Sequence, residues 1–118
     1  HGQEPDKLAQ LRRVETEQFR VFSGLIDKLK RKQEGGAALL DDTMVLFGSN
    51  LGNANSHDTR NLPILLAGGG FKLGGYTAFD AQKNAPLCNL YVSMLQQLGI
   101  ETAAFGSSTG TLSGLNPA

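Results

Sequence analysis

The sequence predicts an α/β domain: a long N-terminal helix, a short, mostly parallel sheet and a second amphipathic helix. Three observations predict it. An apolar stripe at helical spacing runs through residues 5–33. Two short apolar runs, 43–47 and 63–67, are separated by a long polar stretch. A second helical stripe covers residues 85–98. A length of 118 residues suits one domain, 1–118, and is too short for two full ones.

The first helix is expected over 5–33. Pro5 suits a first helical turn, where its missing N–H is not needed. Leu8, Leu11, Val14, Phe19, Phe22, Leu25, Ile26 and Leu29 recur mostly three and four residues apart, which puts them on one face. Asp27 and Arg31 form a favourable i,i+4 pair. The basic run from Lys28 to Lys32 complements the helix dipole and reads as a solvated helix end, and Gly35-Gly36 is expected to stop the helix.

The runs 43–47 (Thr-Met-Val-Leu-Phe) and 63–67 (Pro-Ile-Leu-Leu-Ala) read as strands buried on both faces. Residues 76–79 read as a hairpin or short edge strand. The helix over 85–98 carries Leu87, Leu90, Tyr91, Met94, Leu95 and Leu98 on one face, with Asn84 as candidate cap, Pro86 in the first turn and Gly99 as the stop. The tail from Gly106 is rich in Ser, Gly and Thr and reads as irregular. No internal repeat or separate linker stands out.

Composition narrows the function classes. Eleven Lys and Arg balance 11 Asp and Glu, so no excess of positive charge favours nucleic acid. No apolar run approaches the roughly 20 residues of a membrane span. Forty per cent hydrophobic residues can build a core, unlike a disordered composition. The one cysteine, Cys88, makes no internal disulfide and no thiolate metal cluster. A chain that opens at His1 rather than Met reads as a piece of something longer, with an N-terminal remainder as its natural partner. His1 is then either a ligand completing a site or simply the residue where the chain starts. No signal peptide is visible.

The polar stretch Gly48–Leu62 is the expected working region, because long loops at the carboxyl ends of parallel strands hold ligands in α/β folds. His57 is its candidate metal ligand or general base. Asn50, Ser49 and Asp58 could add oxygen ligands or orient the ring, and a solvated histidine with no task is the bland alternative. The glycine cluster at 68–75 could approach a phosphate with its backbone. It fails the P-loop pattern at Gly75-Tyr76 and the dinucleotide pattern at Leu73, so turns and tight packing explain it better. Gly106-Ser107-Ser108-Thr109-Gly110 matches a nucleophile elbow literally, but too few residues follow for its helix, its acid and its histidine. Cys88, in a first helical turn, has a place where thiols acidify, yet a small buried residue is the simpler account.

Several of these segments carry a resemblance. They are residues 39–49 (Leu-Leu-Asp-Asp-Thr-Met-Val-Leu-Phe-Gly-Ser), Asn55, His57 and residues 61–70, followed by residues 86–90, 94–99 and 105–110. Together they resemble the C-terminal part of a bacterial family listed as domain of unknown function 1552. The wider likeness is to the alkaline phosphatase-like superfamily, with its sulfatases and cofactor-independent phosphoglycerate mutases. Ser49-Asn50-Leu51-Gly52 stands where that superfamily has Ser-Asp-His-Gly. His57-Asp58-Thr59-Arg60-Asn61-Leu62-Pro63 stands at its His-Thr-x-x-x-Pro segment, with one extra residue.

The resemblance implies that His57 is the metal-ligand histidine. Asn50 replaces an aspartate ligand and can still offer a carbonyl oxygen to a hard cation, whereas Leu51 replaces a histidine and offers nothing. It therefore implies a single divalent metal ion (Zn, Mn or Ca) or a vestigial site rather than a two-zinc centre. It also implies an anionic ester substrate, with Ser49, Asp58 and Lys72 as substrate-binding groups, and an exported or periplasmic parent. No residue of this chain is assigned a catalytic role, since the superfamily's nucleophile lies in N-terminal segments not present here. Two functions follow as expectations. One is part of a metal-dependent phosphate or sulfate ester hydrolase. The other is a non-catalytic binding or assembly module, open to self-association through exposed strand edges and apolar faces.

Overall fold

A computed structural model describes residues 3–72 and 74–115. His1, Leu73 and Pro117 lie outside the described residues, and with them the readings that rest on them. The order is α1 (Pro5–Arg31), β1 (Gln33–Glu34), β2 (Ala37–Ala38), β3 (Val45–Gly48), β4 (Ile64–Ala67) and α2 (Leu87–Gln97). The architecture is mixed: two helices and two small antiparallel sheets.

α1 begins at a proline with Asp6 in its first turn and ends with Lys28, Lys30 and Arg31 in its last. The expected Asp27–Arg31 pair is present at 3.8 Å, beside Glu4–Lys7 at 3.0 Å and Glu17–Arg20 at 2.7 Å. All three are exposed, so solvent screens them and each adds little to stability. The helix stops short of Gly35-Gly36. Both glycines instead have positive φ, +60° and +91°, and turn the β1–β2 hairpin, in which Glu34 faces Ala37. Positive φ at both central residues defines the two-residue turn that matches strand twist. Glycines past a helical stripe thus announced a turn, one strand beyond the helix end.

The parallel sheet expected from the sequence is overturned. β3 and β4 are antiparallel, with Val45 opposite Ala67 and Phe47 opposite Leu65. The physical reason lies between them: residues 49–63 contain no helix to serve as a crossover, so the chain returns alongside itself. Nor are these strands buried on both faces. Residues 45–47 are half-buried, and Leu65 is 45% exposed. Tyr76 to Phe79 forms no strand, and Tyr76 is almost fully exposed.

The glycine row after β4 is a packing device. Gly68, Gly69 and Gly70 all have φ near +70°. A Cβ on Gly68 would run into the carbonyl oxygens of Leu40 and Thr43, and one on Gly69 into the Met44 side chain. The Gly69 N–H donates to the Leu40 carbonyl at 3.0 Å. This backbone faces protein, as the tight-packing reading expects.

Pro86, not Asn84, precedes the first turn of α2, with no side-chain cap, and Gly99 ends the helix at φ +77°. Around α2 lies the small core of buried residues: Phe71, Leu90, Val92 and the polar Asn89. Asn89 clamps the C-terminal segment. Its Oδ1 accepts from the Thr109 N–H at 2.8 Å and its Nδ2 donates to Thr109 Oγ1 at 3.2 Å. Ser93 Oγ accepts from the Leu112 N–H at 3.0 Å, and Tyr91 meets Phe105 edge-on.

The accessible surface is 8715 Å² and the radius of gyration 16.5 Å. A compact protein of 12.6 kDa would expose about 6,200 Å² and have a radius near 13.5 Å. α1, none of whose residues is buried, contributes to this excess of roughly 2,500 Å².

Two stability measurements follow. Gly24 lies inside α1 with open space where a Cβ would stand. Gly24→Ala should therefore raise the unfolding free energy by about 0.5–1 kcal/mol in urea titration. Asn89→Ala removes the buried side chain that accepts the Thr109 N–H and should lower it by about 0.5–1.5 kcal/mol.

Candidate functional site

Loop 48–62 is closed by its own backbone. Asp58 N–H donates to the Asn53 carbonyl at 3.0 Å, and Gly52 N–H donates to the Asp58 carbonyl at 2.8 Å. Asn53 Oδ1 accepts from the N–H groups of Asn55 at 3.0 Å and Ser56 at 3.3 Å, the Asx-turn geometry that short amide side chains favour. Gly52 packs so closely on Arg60 and Asn61 that a Cβ there would strike their carbonyl oxygens. His57 sits within this closure at φ +54°, and Asn61 beyond it at φ +52°.

The loop is then tied to a distant segment. The Asn61 N–H donates to Asn84 Oδ1 at 2.6 Å, and Asn84 Nδ2 donates to Asn61 Oδ1 at 2.9 Å and to the Asp80 carbonyl. Asp80 Oδ1 in turn accepts the N–H groups of Gln82 and Lys83, both at 2.8 Å. Asn84, expected as a helix cap, is the peg of this brace instead. No local pattern reveals a pairing across 23 residues.

The site residues expected from the sequence occupy these places. Ser49, Asn50, His57 and Lys72 are exposed, and Asp58 is half-buried. Ser49 Oγ accepts the Leu51 N–H at 3.1 Å, a turn contact. Asp58 gives both carboxylate oxygens to Arg60: Oδ1 accepts from Nε at 3.1 Å and from the backbone N–H at 2.9 Å, and Oδ2 from Nη2 at 2.9 Å. The Arg60 guanidinium and then the Arg60 N–H hold the Asp58 carboxyl below its ordinary range. A carboxylate so occupied is a loop staple. Among the described residues, no three His, Cys, Asp or Glu side chains stand together so as to hold a metal ion.

Cys88 is half-buried in the first turn of α2. Ser107 Oγ donates to its Sγ at 3.5 Å, and Gly106 lies so near that a Cβ there would stand 3.1 Å from the sulfur. The Ser107 hydroxyl, then the Ser107 backbone, lowers the thiol pKa. Ser107 and Ser108 thus serve the tail's own packing: Ser108 Oγ accepts the Phe105 N–H at 2.9 Å.

The Asp58 pairing has a pH signature. Because its folded pKa is lowered, its contribution is complete above the unfolded value of about 3.9 and is lost as pH falls through the lower folded value. Thermal midpoints of the parent chain should therefore fall between pH 5 and pH 2 more than those of Asp58→Asn. Asn84→Ala should speed exchange of the Asn61 amide by roughly fivefold, the loss of one hydrogen bond of about 1 kcal/mol. Compared with family models, with curated proteins and with solved structures, the chain finds no match.

Proposed function

We propose that this chain is a non-catalytic binding and assembly module, with α1 as its working surface and loop 48–62 as scaffold. One observation carries the reading. Leu8, Leu11, Val14, Phe19, Val21 and Leu25 stand between 46% and 64% exposed along a single helix. Contiguous apolar surface of this kind marks a protein–protein contact. The state of the loop supports it from the other side, since the Asp58 carboxylate is taken up by Arg60.

A second reading has a specific observation in its favour. His57 is a non-glycine residue in the left-handed region, and such backbone strain concentrates at functional sites. With the resemblance to the alkaline phosphatase-like superfamily, it supports a longer protein that hydrolyses phosphate or sulfate esters. There, His57 and Asn50 would contribute to a divalent-metal site and Ser49, Asp58 and Lys72 would meet the anion.

Metal analysis separates the two. The purified chain and His57→Ala are equilibrated with Zn, Mn or Ca, desalted and analysed by plasma mass spectrometry, then assayed with aryl phosphate and aryl sulfate esters. The assembly reading expects substoichiometric metal, no turnover and the same thermal midpoint in both chains. About one equivalent of metal, lost in His57→Ala, would overturn it in favour of the hydrolase reading.

A further inference from the structure

Resting on the assembly reading, we infer that the partner of α1 is a second copy of this chain, packed antiparallel along the same helix. α1 carries two neighbouring stripes. Phe22, Ile26 and Leu29 are half-buried against the body of the protein. Leu11, Val14, Gln18, Val21 and Leu25 are exposed, at spacings that alternate three and four. That is the seam of a helix pair, apolar except for a central glutamine. Between this seam and Phe47 runs an open groove of about 880 Å³, room for the side chains of a second helix.

Charge selects the direction. The start of the helix carries Glu4, Asp6 and Lys7, with Glu4 paired to Lys7 and Asp6 left as the net negative charge, and its end carries Lys28, Lys30 and Arg31, with Arg31 paired to Asp27. Antiparallel packing sets each acidic end beside a basic end and opposes the two helix dipoles. Parallel packing would set like charge on like. A formal net charge of zero adds no overall repulsion between copies. The antiparallel register that keeps the seam in contact sets Val14 of one copy against Leu25 of the other and Gln18 against Val21, with a two-fold axis between them.

Area agrees. The surface in excess of a compact chain, roughly 2,500 Å², exceeds the 800 Å² or so that each partner gives to a standard stable interface. Two helices of 27 residues run about 40 Å side by side, long enough to supply it.

The test is sedimentation equilibrium of the chain from about 1 to 100 μM, a span covering ordinary dimer affinities, read against the chain mass of 12.6 kDa. Twice that mass is expected. Val21→Asp and Leu25→Asp should each weaken association at least about tenfold with the helical circular dichroism kept, since both positions are exposed. A charge-reversed Lys28→Glu/Lys30→Glu chain should weaken it as well. In a Cys88→Ser background, Val14→Cys mixed with Leu25→Cys should give a mixed disulfide on mild oxidation. A chain monomeric at 100 μM, or a dimer indifferent to Val21→Asp, overturns the inference. Val14→Cys homodisulfides in place of the mixed product overturn the antiparallel packing. None of these outcomes touches the metal and ester measurements, which judge the assembly reading separately.

Discussion

Phe47 joins two elements that could not stand alone. Its ring stacks on Phe22 at 5.0 Å and meets the edge of Phe19 at 5.6 Å. Such ring pairs contribute about 0.5–1.5 kcal/mol each beyond the area they bury. The β3–β4 hairpin has two strands, and a two-stranded hairpin is marginal in water. A helix without a packed face draws little from propensity alone. Each gives the other its missing surface at this one residue. Leu65, opposite Phe47 in the ladder and so on the same face, remains 45% exposed, which marks where the cover of the hairpin ends.

The C-terminal half is built on a different interaction. There a polar side chain is the organiser: Asn89, buried among Phe71, Leu90 and Val92, binds Thr109 through both ends of its amide. Such a clamp is costly to break, because the buried Asn89 amide would be left unpaired. At the end of the β3–β4 hairpin Gly68 and Gly69 press against Leu40, Thr43 and Met44, and Gly70 lies beside the Gln97 side chain of α2. Substituting these glycines would demand both a strained φ and a displaced neighbour, so the row is a close-packing device.

Periodicity made the helices readable, and local chemistry blurred their ends. The α1 stripe is visible because eight apolar residues share a face, yet Gly35-Gly36 fits both a helix stop and a hairpin turn, and the hairpin took it. Sheet direction was not legible, since composition does not say whether residues 49–63 cross over or fold back. In the loop, Asp58 and Arg60 stand two apart, a pairing open to view, but ligand chemistry and stapling use the same carboxylate. Asn84 and Asn61 find each other only through the tertiary fold.

The same reasoning bears on which surface of the molecule does its work. Asn53, Asp58 and Asn61 already hold contacts within the protein, so a ligand on them would first have to break bonds that keep the loop closed. Binding of that kind trades one set of hydrogen bonds for another and gains little net free energy. Along α1 the balance is opposite. Residues 4–21 are all exposed, and their two ion pairs, Glu4–Lys7 and Glu17–Arg20, are screened by solvent and supply little. Covering Leu8, Leu11, Val14 and Val21 would gain on the order of 25 cal/mol for each Å² removed from water and would break no existing contact. The larger gain therefore lies along the helix.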